Sequence, residues 1–144
     1  MKLKTDPYRK QHLHLAHFAT ALPTNDVIED PNAAHAALFR VRAVLVVHIR
    51  LENGLLYPWM LQRSSESVCE RVRRHRDDMG QLLTSFLKVC AQWSTAASIA
   101  EDPQGFVAAW KDVRALLFAH MAAEQDDLYD LADACMSERL ALAS

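Results

Sequence analysis

Glycine is scarce in this chain: 144 residues contain 3, beside 5 prolines. Turn-rich β architectures draw on glycine at their tight turns, so this shortage weighs against them. No segment alternates apolar and polar residues at strand period. An excess of one charge is missing too. The formal charge is −2 and the pI is near 6.4, which leaves no electrostatic case for nucleic acid. Long apolar runs are absent; the longest, residues 43–47, is far short of a membrane span. The first twelve residues hold no apolar stretch of the kind a signal peptide needs, so a cytoplasmic protein is expected. Cysteine is limited to Cys69, Cys90 and Cys135, with no CxxC, which excludes a disulfide framework and points to reduced thiols. A Ser-His-Asp order and a glycine-rich phosphate loop are likewise lacking.

What is present is helix-forming. Apolar residues make up 51% of the chain, led by Ala and Leu. Asp6-Pro7, Asp30-Pro31 and Asp102-Pro103 each precede an apolar-periodic segment. Asp at the N-cap followed by Pro at the first helical position is a helix-start signal. A fourth start is expected at Ser64 or Ser65. The pattern predicts helices over 7–22, 31–57, 65–94 and 103–136, punctuated by Pro23, Pro58 and the stretch 94–102. Short connections make neighbours antiparallel, so the expected fold is an all-α, up-down-up-down four-helix bundle. The whole chain, 1–144, reads as one domain.

One decapeptide pattern, HxxxExxxLY, occurs twice: HIRLENGLLY from His48 and HMAAEQDDLY from His120. His and Glu four apart share one helix face. Leu56 and Leu128 lie a further turn along it. Val41, Val44, Leu45, Leu55 and Trp59 are expected beside His48. Phe106, Val113, Leu116, Leu117 and Leu131 are expected beside His120. A lone histidine on such a face is more simply a core residue satisfied by local hydrogen bonds. Paired with Glu52 and Glu124 on two apolar faces, the histidines read instead as metal ligands, because unpartnered imidazole and carboxylate are costly to bury. Imidazole and carboxylate without thiolate suit iron or manganese better than structural zinc.

The helices ahead of each copy supply further candidates. His75 shares its face with Val68, Val72, Met79, Leu82, Leu83 and Phe86, and so points inward. The arginines around it, balanced by Glu66, Glu70, Asp77 and Asp78, read as a solvated face. In the first helix, His12 and His14 flank the stripe of Leu15, Phe18, Ala19 and Leu22 on opposite sides, and periodicity does not choose between them. His17 and His35 face away. Tyr57 and Tyr129 fall nine residues after their histidines, half a turn round an α-helix, which predicts packing against a neighbour rather than a place at the metal. Asp127 is within reach of a metal, but solvation of a helix end is the simpler reading.

These residues resemble the hemerythrin-like, or HHE cation-binding, family over nearly the whole chain. The motifs carrying the resemblance are Gln11-His12, HIRLENGLLYP from His48, His75 followed by DDMGQLL, and HMAAEQDDLYDL from His120. The resemblance implies two iron ions in a non-haem di-iron centre, oxo- or hydroxo-bridged when oxidised, that binds dioxygen or related small molecules. It implies His12, His48, His75 and His120 as terminal ligands, with Glu52 and Glu124 bridging. The family's apolar spacing after its first histidine is met by Leu15, Ala19 and Leu22 behind His12, and not behind His14. Oxygen carriers of the family have a second histidine four residues after the one in the third helix. Here that position is Met79, one imidazole short of the carrier set.

The expected function is therefore binding or sensing of dioxygen, nitric oxide or redox state, with no nucleic-acid or membrane partner. The alternatives are a di-iron enzyme that reduces peroxide or nitric oxide or oxidises iron, and a helical interaction module that needs no metal.

Overall fold

A computed structural model describes residues 4–25 and 27–143, with side chains as far as residue 138. The expected domain, 1–144, therefore reaches slightly beyond the described residues. Four long helices and one short one make the fold, with no strand among the described residues. Helix α1 is Asp6–Thr20. Helix α2 spans residues 31–63 and α3 is Glu66–Gln92. The short α4 is Ala96–Glu101, and α5 spans residues 103–143. The long helices form an antiparallel, hemerythrin-like four-helix bundle. Its principal contacts are α1 on α2 and α3 on α5, with α2 joining α3.

Local chemistry sets the helix starts. The carboxylates of Asp30 and Asp102 accept from the amides of Ala33 and Gly105 at 3.1 and 2.9 Å, so both act as N-caps ahead of a proline. Ser65 caps α3 by accepting from the Val68 amide. The first start differs by one residue: Thr5 is the N-cap and Asp6 is already helical. The Thr5 hydroxyl donates to Asp133 at 2.7 Å instead of capping. The stretch 94–102, expected as a loop, holds α4, which a reciprocal Thr95–Ser98 capping box starts.

Pro58 does not end its helix. In α2, Pro31–Leu51 is α-helical, Glu52–Leu56 is a π-helical turn and Tyr57–Arg63 is α-helical again. The Tyr57 amide donates to the Glu52 carbonyl, five residues back. Proline within an α-helix strikes the carbonyl four residues earlier. The wider turn moves that carbonyl aside, and the rod continues to Arg63. Helix α5 repeats the device: Pro103–Ala123, a π turn Glu124–Leu128, then Tyr129–Ala143.

Two apolar clusters fill the bundle. One gathers Leu15, Leu45, Met79, Phe86, Trp110 and Leu117. The other gathers Tyr8, Leu56, Tyr57, Val72, Leu128 and Tyr129. Each long helix crosses from one to the other through a buried polar step. In α1 the order is Tyr8, His12, Leu15; in α3 it is Val72, His75, Met79. In α2 His48 and Glu52 separate Leu45 from Leu56, and in α5 His120 and Glu124 separate Leu117 from Leu128.

Candidate metal centre

All six residues of that polar layer are buried, and Glu52 and Glu124 are fully so, at 0% exposure. The HxxxE spacing on α2 sets His48 Nε2 3.1 Å from Glu52 Oε1. On α5 it sets His120 Nε2 3.6 Å from Glu124 Oε2. Between helices, Glu124 Oε1 lies 2.9 Å from His12 Nε2 and 3.2 Å from His48 Nε2. Two sets of three ligand atoms result, one from His12, His48 and Glu124, the other from Glu52, His120 and Glu124. Within each, the atoms lie within 4.8 Å of one another. Glu124 belongs to both.

The sequence-derived candidates thus divide. His12, His48, Glu52, His120 and Glu124 converge. His75 borders them, but its Nε2 is 2.7 Å from Asp127 Oδ2 and turned away. Asp127 solvates no helix end: it sits in the π turn of α5 and takes bonds from both His75 and Arg71. His14 and His17 are exposed. His35 lies elsewhere, its Nε2 2.8 Å from the Ser94 carbonyl.

The tyrosines correct the sequence reading. The Tyr129 hydroxyl donates to Glu52 Oε2 at 2.9 Å and lies 3.1 Å from His12 Nε2 and 3.4 Å from His48 Nε2. The Tyr57 hydroxyl reaches Glu52 Oε1 at 3.4 Å. Both rings pack in the second apolar cluster, against neighbours as expected, while their hydroxyls reach into the layer. The π turns explain this. Each holds one residue more than an α turn and sets the following chain back by about 100°. An offset of nine then behaves like one of eight, and the tyrosine faces inward. The same shift buries Leu56 and leaves Leu55, expected on the His48 face, 42% exposed. Leu116, expected beside His120, is 49% exposed, outside the interior. The repeated LY offset was the one signal in the sequence that could have revealed the wide turns.

The bonds made by two glutamines of the quoted motifs also escaped the sequence reading. Gln11 Oε1 accepts from His48 Nδ1 at 2.7 Å, and Gln125 Oε1 accepts from His12 Nδ1 at 3.1 Å. Each fixes an imidazole with its Nε2 directed into the cluster.

The electrostatics follow from burying carboxylates together. Burial, reinforced by neighbouring Glu124, raises the Glu52 carboxyl to about 8. Burial also favours neutral Glu124, but Glu52 and the histidines beside it outweigh that effect and hold that carboxyl well below its ordinary value. Burial alone would lower His48; Glu124 and Glu52 beside it outweigh the effect and raise it to about 9. Burial and then the nearby His120 lower His75. Burial and the two carboxylates push Tyr57 and Tyr129 far above the ordinary phenol range. At neutral pH the metal-free layer therefore holds protons on His48 and Glu52, between ligand atoms.

Whether a cation fits here is decided by the atoms left over. His120 Nε2 and Glu124 Oε2 are buried and have no hydrogen-bond partner. Orphaned polar atoms of this kind cost roughly 1–3 kcal/mol each. Both are lone-pair donors aimed at shared space, and a cation satisfies both at once. The donor set is imidazole and carboxylate, suited to a divalent or trivalent ion of intermediate hardness.

Comparison with known proteins agrees with this geometry. A family model described as "Hemerythrin HHE cation binding domain" matches residues 4–132. Searches of curated proteins and of solved structures give no match.

Proposed function

Because the chain belongs to the hemerythrin HHE cation-binding family, we propose that it is a non-haem di-iron protein that binds or senses a small ligand such as dioxygen or nitric oxide. The observation that carries this reading is the orphaned pair, His120 Nε2 and Glu124 Oε2, inside a layer that already collects His12, His48 and Glu52. His12 and His48 would hold one ion and His120 the other, with Glu52 and Glu124 between them and His75 as the sixth ligand. Iron bound there supplies one-electron redox chemistry and a position for an added ligand.

The chain's own residues do the rest. The two apolar clusters exclude bulk water from both sides of the layer. Tyr57 and Tyr129 donate hydrogen bonds that steady Glu52. Met79 is buried at 2% exposure where an oxygen carrier of the family has a second α3 histidine. A thioether is a weak ligand for iron, so a position stays free for reaction or sensing rather than reversible storage. That observation also supports a second reading, an enzyme on the same scaffold that reduces peroxide or nitric oxide.

Among the described residues no helix is long and apolar enough to cross a membrane, and the proposal places this single-domain protein in the cytoplasm. The test is metal analysis with an optical spectrum of anaerobically purified protein. About two irons per chain are expected, the content of paired carboxylate-bridged sites in such bundles. Loss of most iron in Glu52→Ala and in Glu124→Ala completes the expectation. A folded wild-type chain that takes up no iron would leave only the interaction-module reading.

A further inference from the structure

The two halves of the layer are built unequally. We propose that the half around His75 and His120 is the exchangeable one, and that a small exogenous ligand of azide or dioxygen size reaches it through the cavity between α3 and α5. This rests on the two-ion reading above and adds to it a direction and an order.

The inequality is written in the repeat. Around the first half the chain reads Gln11-His12 and Glu52-Asn53; around the second it reads Arg74-His75 and Glu124-Gln125. Gln11 holds His48, and Gln125 holds His12, each through a carbonyl oxygen on Nδ1. The residues at the equivalent places cannot do the same. Arg74 stands where Gln11 does, and a guanidinium has no acceptor to offer. Asn53 stands where Gln125 does, one methylene shorter, and is exposed. His12 and His48 are therefore preorganised with Nε2 inward. His120 keeps a buried Nε2 with no partner, and His75 gives its Nε2 to Asp127. The Tyr129 hydroxyl further closes the first half, within 3.4 Å of both its histidines. The Tyr57 hydroxyl meets Glu52 and hydrogen-bonds to no histidine.

Open space lies on the loose side. A cavity of about 290 Å³ between α3 and α5 is lined by Asp78, Gln81 and Ser85 from α3 and by Ala119 and His120 from α5. A second, of about 330 Å³, lies over His75, Arg74 and Asp127 and shares Asp78. The first, where Leu82, Leu116 and Ala123 also line the space, has the mixed polar and apolar lining that suits a small molecule needing few hydrogen bonds in transit.

The test uses the full chain loaded anaerobically with iron(II), then mixed with a colorimetric iron(II) chelator; azide binding is followed separately by absorbance. Wild type is expected to release its iron in a fast and a slow phase of equal size. Gln11→Leu and Gln125→Leu should speed only the slow phase, by about tenfold or more, the usual cost of removing such a partner. Arg74→Gln, which supplies the missing acceptor, should slow the fast phase. Ala119→Phe should slow azide binding at unchanged iron content. Ser85→Phe blocks the cavity from the opposite wall and should act alike if Ala119→Phe perturbs folding. A single release phase in wild type would overturn the inequality. Azide binding untouched by both cavity variants would overturn the route. A wild-type chain that loads no iron would instead defeat the two-ion reading from which both follow.

Discussion

His75 and Asp127 face each other 2.7 Å apart across the seam between α3 and α5, with Arg71 on the far side of the carboxylate. The bond takes up the His75 Nε2 that the family pattern assigns to metal. Asp127 would therefore compete with the proposed centre for this ring. In Asp127→Ala, His75 is free to turn inward, and iron in the looser half should bind more tightly. A competition titration against a chelator measures this. A weaker site in the variant would show that Asp127 orients His75 for binding instead of withholding it.

Metal and fold should be coupled. A cation that binds only the native chain stabilises it by about 2.7 kcal/mol at a hundredfold excess over its dissociation constant. Calorimetric melting of metal-loaded and metal-free protein at neutral pH should give a clearly higher midpoint for the loaded form. Coincident midpoints would count against a buried site.

Glu52 should set function against stability. Two buried carboxylates face each other when metal is absent. Glu52→Gln removes one ionisable group while keeping the shape. Above about pH 8, where wild-type Glu52 loses its proton, the metal-free variant should gain about 1–3 kcal/mol over metal-free wild type, as when buried charge is replaced by a neutral group, while at neutral pH the two should differ little; the variant should lose most of its iron throughout. Denaturant melts with metal analysis read both effects. A destabilised metal-free variant would show that the Glu52 carboxyl is better satisfied than its position implies.

The same groups predict how stability varies with pH. Glu52 and His48 bind their protons more tightly in the folded, metal-free chain than in the unfolded one. The Glu52 contribution is full below 4.5 and gone above about 8. The His48 contribution is full below 6.5 and gone above about 9. Glu124 works oppositely, stabilising above 4.5 and losing that as pH falls below it. Metal-free protein should thus become less stable from about pH 6 to 9. Metal displaces both protons, so affinity should rise over the same range. Thermal melts across this range should fall with pH for the metal-free form and stay level or rise slightly for the loaded one; parallel falling slopes would contradict the proton assignment.

His12 and His14 separate cleanly by substitution. His12 is buried against Glu124, and His14 is exposed. His12→Ala should weaken metal binding in the preorganised half, whereas His14→Ala should leave the iron content unchanged.

Much of this was legible in the sequence because it depends on helical spacing. The two HxxxE pairs, the apolar faces and the Asp-Pro starts at Asp30 and Asp102 follow from a period of 3.6 residues and local capping. Tyr57 and Tyr129 were misplaced because a π turn changes that period, and nothing in a periodic template registers an added residue. Pro58 was read as a stop for the same reason. The bonds of Gln11 and Gln125 were missed because their partners lie on other helices, His48 and His12, at sequence distances of 37 and 113. Asp127 was misread because its partners, His75 and Arg71, approach from α3.

The π turns also fix how the distal end of the bundle faces. Were Glu52–Leu56 or Glu124–Leu128 to close as an ordinary turn with its residue count kept, the rest of that rod would rotate by about 100°. Tyr57 and Met60 would swing out in one case, Tyr129 and Ala132 in the other, although every side chain involved were still present. Deleting one residue together with the wide turn cancels that rotation: the offset from histidine to tyrosine falls to eight, and the tyrosine keeps its inward face. The segments have the character of slack, one residue of chain taken up locally, in the first case at the exposed positions Asn53, Gly54 and Leu55.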